Sequence, residues 1–189
     1  MRGWVKAFLI MVLLPILIGG IVLLLAGRPV AFEILRRRTA SKFPEVKWLT
    51  TQDLARWRAD TGQPQPVLLD ARTAPEFELS HMKGAIPIDP YRPSLTPLQG
   101  LPRDTSIVVY SSVGYRGARV ASWLRKAGYP NSLNLAGGLF QWVNEGGQIF
   151  REESRPAAQV HPYDRRWGML LEGRYRAQAP EVVEQSAAP

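Results

Sequence analysis

The hydrophobic pattern of this chain changes rhythm several times, and each change marks an element. Residues 7–26 form an uncharged run of twenty, almost wholly aliphatic. As a helix such a run spans roughly 30 Å, the hydrocarbon thickness of a bilayer. Pro15 and the Gly19-Gly20 pair are tolerable in a lipid helix. Further on, short apolar runs alternate with amphipathic stretches. Residues 46–49, 67–72, 107–110 and 132–136 read as strands. The run Ile107-Val108-Val109-Tyr110 is apolar throughout, as in a strand buried on both faces. Between the strands, helices are predicted from Thr50 or Thr51 through Arg58, over 75–79, over 117–127 with Gly128 as terminator, and just after Gly137-Gly138. Strands alternating with helices imply an α/β domain with a parallel sheet. Pro87, just before it, and Pro90, Pro93, Pro97 and Pro102 within it stiffen the connection over residues 89–105.

Charge adds a second layer. The chain carries 24 Lys and Arg against 16 acids, a net charge of +8. The excess concentrates next to the aliphatic run, with seven basic residues and two acids in the first 45 positions. Arg2 and Lys6 flank one end of the run, and Arg28, Arg36, Arg37, Arg38 and Lys42 flank the other. This is the pattern of a retained membrane anchor, and the basic bias places the folded part on the cytoplasmic side. The expected setting is a bacterial inner or thylakoid-type membrane. No stripe of interleaved basic and aromatic residues accompanies the charge, so nucleic-acid binding is not expected. The chain contains no cysteine, which excludes disulfides, thiolate metal sites and all cysteine chemistry. Neither a metal nor a cofactor is expected.

The candidate chemistry lies in the turn after the 107–110 strand. Ser111-Ser112-Val113-Gly114-Tyr115-Arg116 joins that strand to an amphipathic helix. A strand–loop–helix of this kind aims successive backbone N–H groups and the positive end of a helix dipole into one small cup suited to an anion. Arg116 is expected to add a fixed positive charge at the rim, and Ser111 Oγ a neutral donor. Asp70 and Arg72 end the 67–72 strand, where function gathers in open parallel sheets, and a mutual ion pair is their simplest role. His81, next to Gly84-Ala85, reads as a structural histidine of a turn, and His161 lies far off in the tail.

These motifs resemble the rhodanese-like (sulfurtransferase) domain family. Its active-site loop reads Cys-x-x-Gly-x-Arg after a strand ending in Tyr. Here Ser111 occupies the position of the cysteine, while Gly114 and Arg116 match. Asp70-x-Arg72, Glu76-Phe77, His81 and Gly84-Ala85 follow the family order, as does the terminal Gly137-Gly138…Trp142. The resemblance extends over about residues 46–147 and implies a central five-stranded parallel sheet flanked by helices, preceded here by one transmembrane helix. The implied organisation is a short basic N-terminus (1–6), the span (7–26), a basic juxtamembrane linker (27–45), the domain (46–147) and a C-terminal extension (148–189). Val160 to Gly168 of that extension is aromatic enough to pack on the domain, and the last dozen residues read as disordered.

The resemblance also bounds function. Active members pass sulfur through a persulfide on the loop cysteine, and related phosphatases use the same cysteine. A serine hydroxyl stays protonated without a neighbouring base. The expectation is a membrane-held module without catalytic residues that binds an oxyanion or docks a partner protein through the 111–116 loop, with Val113 and Tyr115 as apolar anchors. The alternative is a hydrolase or transferase in which Ser111, with Asp70 as base, or a thiol supplied by a partner handles an anionic sulfur or phosphate compound.

Overall fold

A computed structural model of the chain describes residues 27–178, together with Met11, Leu13 and Leu14. The predicted membrane span thus lies outside the described residues except for those three, which are helical. Among the described residues no helix is long and apolar enough to cross a membrane.

The five predicted strands are present as β1 (Lys47–Leu49), β2 (Val67–Asp70), β3 (Ala85–Pro87), β4 (Ile107–Tyr110) and β5 (Ser132–Leu135). They form one parallel sheet in the order β1-β5-β4-β2-β3, with β4 at its centre. All four residues of β4 are buried, and they divide between two cores as the pleat requires. Val108 and Tyr110 join Leu54, Leu139, Phe140 and Val143 on one face. Ile107 and Val109 join Val120, Ala121 and Leu124 on the other. Helices α2 (Thr51–Ala59) and α5 (Gly138–Asn144) cover the first face, and α4 (Tyr115–Lys126) covers the second. The short α3 (Ala74–Leu79) lies between β2 and β3, and opens on a capping box formed by Thr73 and Glu76.

Two segments differ from expectation. Residues 27–42, most of the stretch expected as a basic juxtamembrane linker (27–45), are a helix, α1. Phe32 is buried in the same core as α2 and α5, and Thr39 is buried with its hydroxyl donating to Leu35 O at 2.8 Å. The basic positions that suggested a topology signal are partly spent within this helix, since Arg36 and Arg37 both pair with Glu33. At the other end, β6 (Ile149–Glu152) and β7 (Arg155–Ala157) form a hairpin that no sequence pattern announced. The hairpin is tied back by His81 N–H donating to Phe150 O at 2.7 Å and Phe150 N–H to His81 O at 2.8 Å. Val160 and Leu171 are fully buried in the first core, so this part of the extension packs on the sheet's own hydrophobic layer. Residues from 179 onward, including nearly all of the stretch expected to be disordered, lie outside the described residues.

Candidate functional site

The loop after β4 is shorter than its sequence implied. Helix α4 begins at Tyr115, so the turn is Ser111–Gly114, and Tyr115 and Arg116 belong to the first helical turn. Gly114 closes it with φ +100°, a left-handed conformation in which a side chain is strained. From the other side α5 fixes the loop's carbonyls. Leu139 N–H donates to Ser111 O at 2.8 Å and Phe140 N–H to Ser112 O at 3.0 Å. That approach needs Gly138, because a Cβ there would stand 2.1 Å from Ser111 O. Asn134 of β5 donates through Nδ2 to Gly114 O at 2.9 Å. With its carbonyls committed to α5 and β5, the loop leaves its donors free. The backbone N–H groups of Ser112, Val113, Tyr115 and Arg116 reach no acceptor among the described residues, and that of Gly114 donates to Ser111 Oγ at 3.1 Å.

Arg116, expected as a fixed positive charge at the rim, is paired with a carboxylate. Its guanidinium forks onto Glu76, Nη1 to Oε2 at 2.8 Å and Nη2 to Oε1 at 2.7 Å. Nη2 also donates to Ser112 Oγ at 2.9 Å, and Ser112 Oγ donates to Glu76 Oε1 at 2.8 Å. Thr73 completes the set from α3, its N–H at 3.0 Å and its hydroxyl at 2.8 Å from Glu76 Oε2. Glu76 is 1% exposed. Burial pushes its carboxyl upward, but the Arg116 hydrogen bonds and charge, with the Thr73 donors, outweigh it and hold the pKa down to about 2. The carboxylate that touches Ser112 is therefore a weak base.

Ser111 fares no better as a nucleophile. Asp70, the base proposed for it, is locked to Arg72, with both side chains inaccessible. Arg72 donates through Nε to Asp70 Oδ1 at 2.9 Å, through Nη2 to Oδ2 at 2.7 Å, and again through Nη2 to Ser80 O at 2.6 Å. Burial opposes the Arg72 charge, yet Asp70 raises its pKa. The pair braces the turn after β2, the simpler of the two roles its sequence position allowed. Tyr110 lies beside it, its phenol receiving Met82 N–H at 3.1 Å and pushed well above the usual tyrosine range by burial. His81 is structural as well: Nδ1 lies 2.9 Å from Phe77 O and the ring stacks on Phe77 at 4.0 Å. Among the described residues no three His, Asp or Glu groups are placed to share a metal ion.

Above the loop lies a cavity of about 450 Å³. Ser111, Ser112, Val113, Tyr115 and Arg116 form its floor. Leu35, Arg38 and Thr39 of α1 form one wall, and Tyr163 and Trp167 of the C-terminal extension another. Tyr91 and Arg119 close a third side. Tyr163 holds a left-handed φ of 65°, uncommon for a bulky residue, and its ring lies 4.8 Å from the Arg116 guanidinium. Its N–H donates to His161 Nδ1 at 3.0 Å, which gives the tail histidine a local structural role.

Sequence reasoning thus found the floor and missed the walls. Glu76 had a readable signal, the Thr73-x-x-Glu76 capping box, though that signal speaks of a helix start and not of a site. Arg38, Tyr91, Arg119, Tyr163 and Trp167 carry no local pattern that points to the loop.

Comparison with known proteins agrees with this geometry. The rhodanese-like domain family matches residues 50–145, half of the chain, and the chain belongs to that family. Among curated relatives, a tRNA uridine(34) hydroxylase of Xanthomonas euvesicatoria is 34% identical over 121 residues, covering 60% of this chain and 46% of that protein. The same enzyme of Erwinia tasmaniensis is 30% identical over 98 residues, 49% of this chain and 27% of that protein. A probable adenylyltransferase/sulfurtransferase of Mycobacterium tuberculosis is 31% identical over 99 residues, 51% and 24% of the two chains. The chain therefore spans between about a quarter and just under half of the length of these relatives. Among solved structures, a Bacillus halodurans protein superposes with a TM-score of 0.50 at 20% identity, covering 66% of this chain and 87% of that one. The rhodanese-like domain of an Anabaena protein does so at 0.50 and 24%, covering 62% and 89%. At these identities the likeness is one of fold.

Proposed function

We propose that this chain is a rhodanese-like module without persulfide chemistry, which recognises an oxyanion at the Ser111–Arg116 loop and is held at a membrane by residues 7–26. One observation carries the first part. The loop keeps an array of backbone N–H groups without acceptors among the described residues at the N-terminus of α4, while the chain has no cysteine to make it a nucleophile's seat. Neutral serine at position 111 leaves the array's positive potential uncompensated, a setting that favours an incoming anion. The serine-hydrolase alternative has no support in this geometry, since Glu76 is held ionised and Asp70 is locked to Arg72. The membrane part rests on the aliphatic run and on Met11, Leu13 and Leu14, which are helical and 76%, 58% and 50% exposed. The tRNA named in the hydroxylase relatives is not carried over, because the chain matches less than half of those proteins.

The test is a titration of the full chain in detergent with thiosulfate, sulfate and phosphate, followed by amide chemical shifts. Shifts centred on Ser112, Val113, Tyr115 and Arg116 at millimolar anion are expected, with no transfer of sulfur from thiosulfate to cyanide. Silent amides would refute anion recognition, and turnover would refute the loss of sulfur transfer.

A further inference from the structure

The cavity over the loop has features that an inorganic anion alone does not use. We propose that it takes a compact organic anion, with an acidic group facing the loop and an aromatic body lying between α1 and the C-terminal extension. This rests on the oxyanion reading of the loop and extends it to the substance carrying the anion.

Volume is the first argument. About 450 Å³ is several times what sulfate or phosphate fills and falls within the range of sites for small organic ligands. The chemistry of the walls is the second. Tyr91, Tyr115, Tyr163 and Trp167 present aromatic surface, and Leu35 and Val113 add aliphatic surface between them. Tyr91, Tyr115 and Tyr163 are all 40% exposed or more, so the fold itself does not bury these rings. Charge is the third. Among the described residues no carboxylate lines the cavity, and neither Arg38 nor Arg119 pairs with one. Arg119 stacks over Tyr91 at 4.9 Å, and Arg116 over Tyr163 at 4.8 Å. Two guanidinium–ring pairs thus face the space, a surface suited to a ring that bears an acid.

The elements that make these walls lie largely outside the stretch matched by the family. Leu35 and Arg38 come from α1, and Tyr163 and Trp167 from the extension, whereas the family match ends at residue 145. Selectivity for the body of the ligand would accordingly be a property of this chain's own additions, laid over a loop common to the family.

Calorimetric titration of the full chain with 2-naphthalenesulfonate, inorganic sulfate and uncharged 2-naphthol tests the proposal, each run also made into the same detergent solution without protein. Naphthalenesulfonate is expected to bind at least roughly tenfold more tightly than either comparison compound, a ratio that burial of a small part of the ring face is enough to give. Leu35→Trp, which fills the cavity from α1, is expected to abolish naphthalenesulfonate binding and leave the sulfate response intact. Arg38→Met and Arg119→Met are expected to weaken naphthalenesulfonate several-fold without altering the thermal midpoint by more than a few degrees. Equal affinity for sulfate and naphthalenesulfonate, or indifference to Leu35→Trp, would overturn the inference and leave the loop as a plain oxyanion site. Equal affinity for naphthol and naphthalenesulfonate would overturn it by removing the role of charge. Binding of none of the three would overturn both this inference and the oxyanion reading.

Discussion

Glu76→Gln is the substitution that most directly tests how the loop is held. The wild-type carboxylate accepts five hydrogen bonds, two from Arg116, one from Ser112 and two from Thr73. Glutamine keeps the shape but replaces one acceptor oxygen with an amide nitrogen that faces donors, and it leaves Arg116 without a countercharge. Breaking a buried pair from one side costs about 3–5 kcal/mol. The pH dependence supplies an independent magnitude. The carboxyl falls from 4.5 to about 2 on folding. At about 1.4 kcal/mol per pH unit, that corresponds to about 3 kcal/mol of stability. Because the folded value is the lower one, this stability is complete above pH 4.5 and drains away as the pH falls toward 2. Urea unfolding followed by tryptophan fluorescence at several pH values between 2 and 7 reads both quantities. The gap between wild type and Glu76→Gln should be about 3–5 kcal/mol at neutral pH and should close by most of that amount at the acid end. A neutral-pH gap below about 1 kcal/mol, or a gap indifferent to acid, would show that the Glu76 fork does not hold the loop.

Three other substitutions probe the remaining parts of the site. Asp70→Asn leaves the Arg72 guanidinium buried beside an amide, and should lower the thermal midpoint by roughly 10 °C or more; a fall of only a degree or two would mean that the pair is dispensable. Gly138→Ala combines a left-handed backbone at φ +57° with a Cβ 2.1 Å from Ser111 O. It should shift the loop amides and cost upward of about 2 kcal/mol, and an unchanged amide spectrum would contradict the close packing of α5 on the loop. Ser111→Cys places a thiol among the free N–H groups, so its alkylation by iodoacetamide should titrate below the ordinary value of about 8.5. An inflection at or above that value would show that the loop does not stabilise a negative charge.

How far the sequence reached follows from where information is local. The sheet was legible because each strand carries its own signal: Ile107 to Tyr110 is apolar on both faces, and the real β4 is buried on both. The loop's position was legible for the same reason, since strand, glycine and helix are contiguous. The state of Arg116 was not. Its partner Glu76 lies 40 residues upstream, and only the packing of α3 against the start of α4 makes them neighbours. The helix over 27–42 was missed because Arg36, Arg37 and Arg38 read as a charge signal, while its buried face holds one large apolar anchor, Phe32, beside the polar Thr39, so no apolar stripe marks it in the sequence. The β6–β7 hairpin was missed because Arg151, Glu152, Glu153 and Arg155 hide any alternation, and the hairpin gains its place through the pairing of Phe150 with His81.

That division has a functional consequence. Of the parts legible in sequence, the loop and the sheet apart from β1 fall within the family match, and of the site they supply only the loop at which anion recognition is proposed. Helix α1, which was not legible, and residues 160–171, of which only the packing of 160–168 was expected, are joined to the same hydrophobic core through Phe32, Val160 and Leu171. They are thus packed on the domain's own core, and the walls they raise over the loop belong to the same body as the sheet. A substitution at Phe32 or Leu171, both distant in sequence from the loop, should therefore alter ligand selectivity before it alters the loop's own geometry. Phe32→Ala creates a cavity beneath α1 and should cost about 3–5 kcal/mol if the helix cannot settle inward. A loop whose amides respond to sulfate as before, in a chain that no longer prefers naphthalenesulfonate, would locate selectivity in the additions and anion capture in the shared fold.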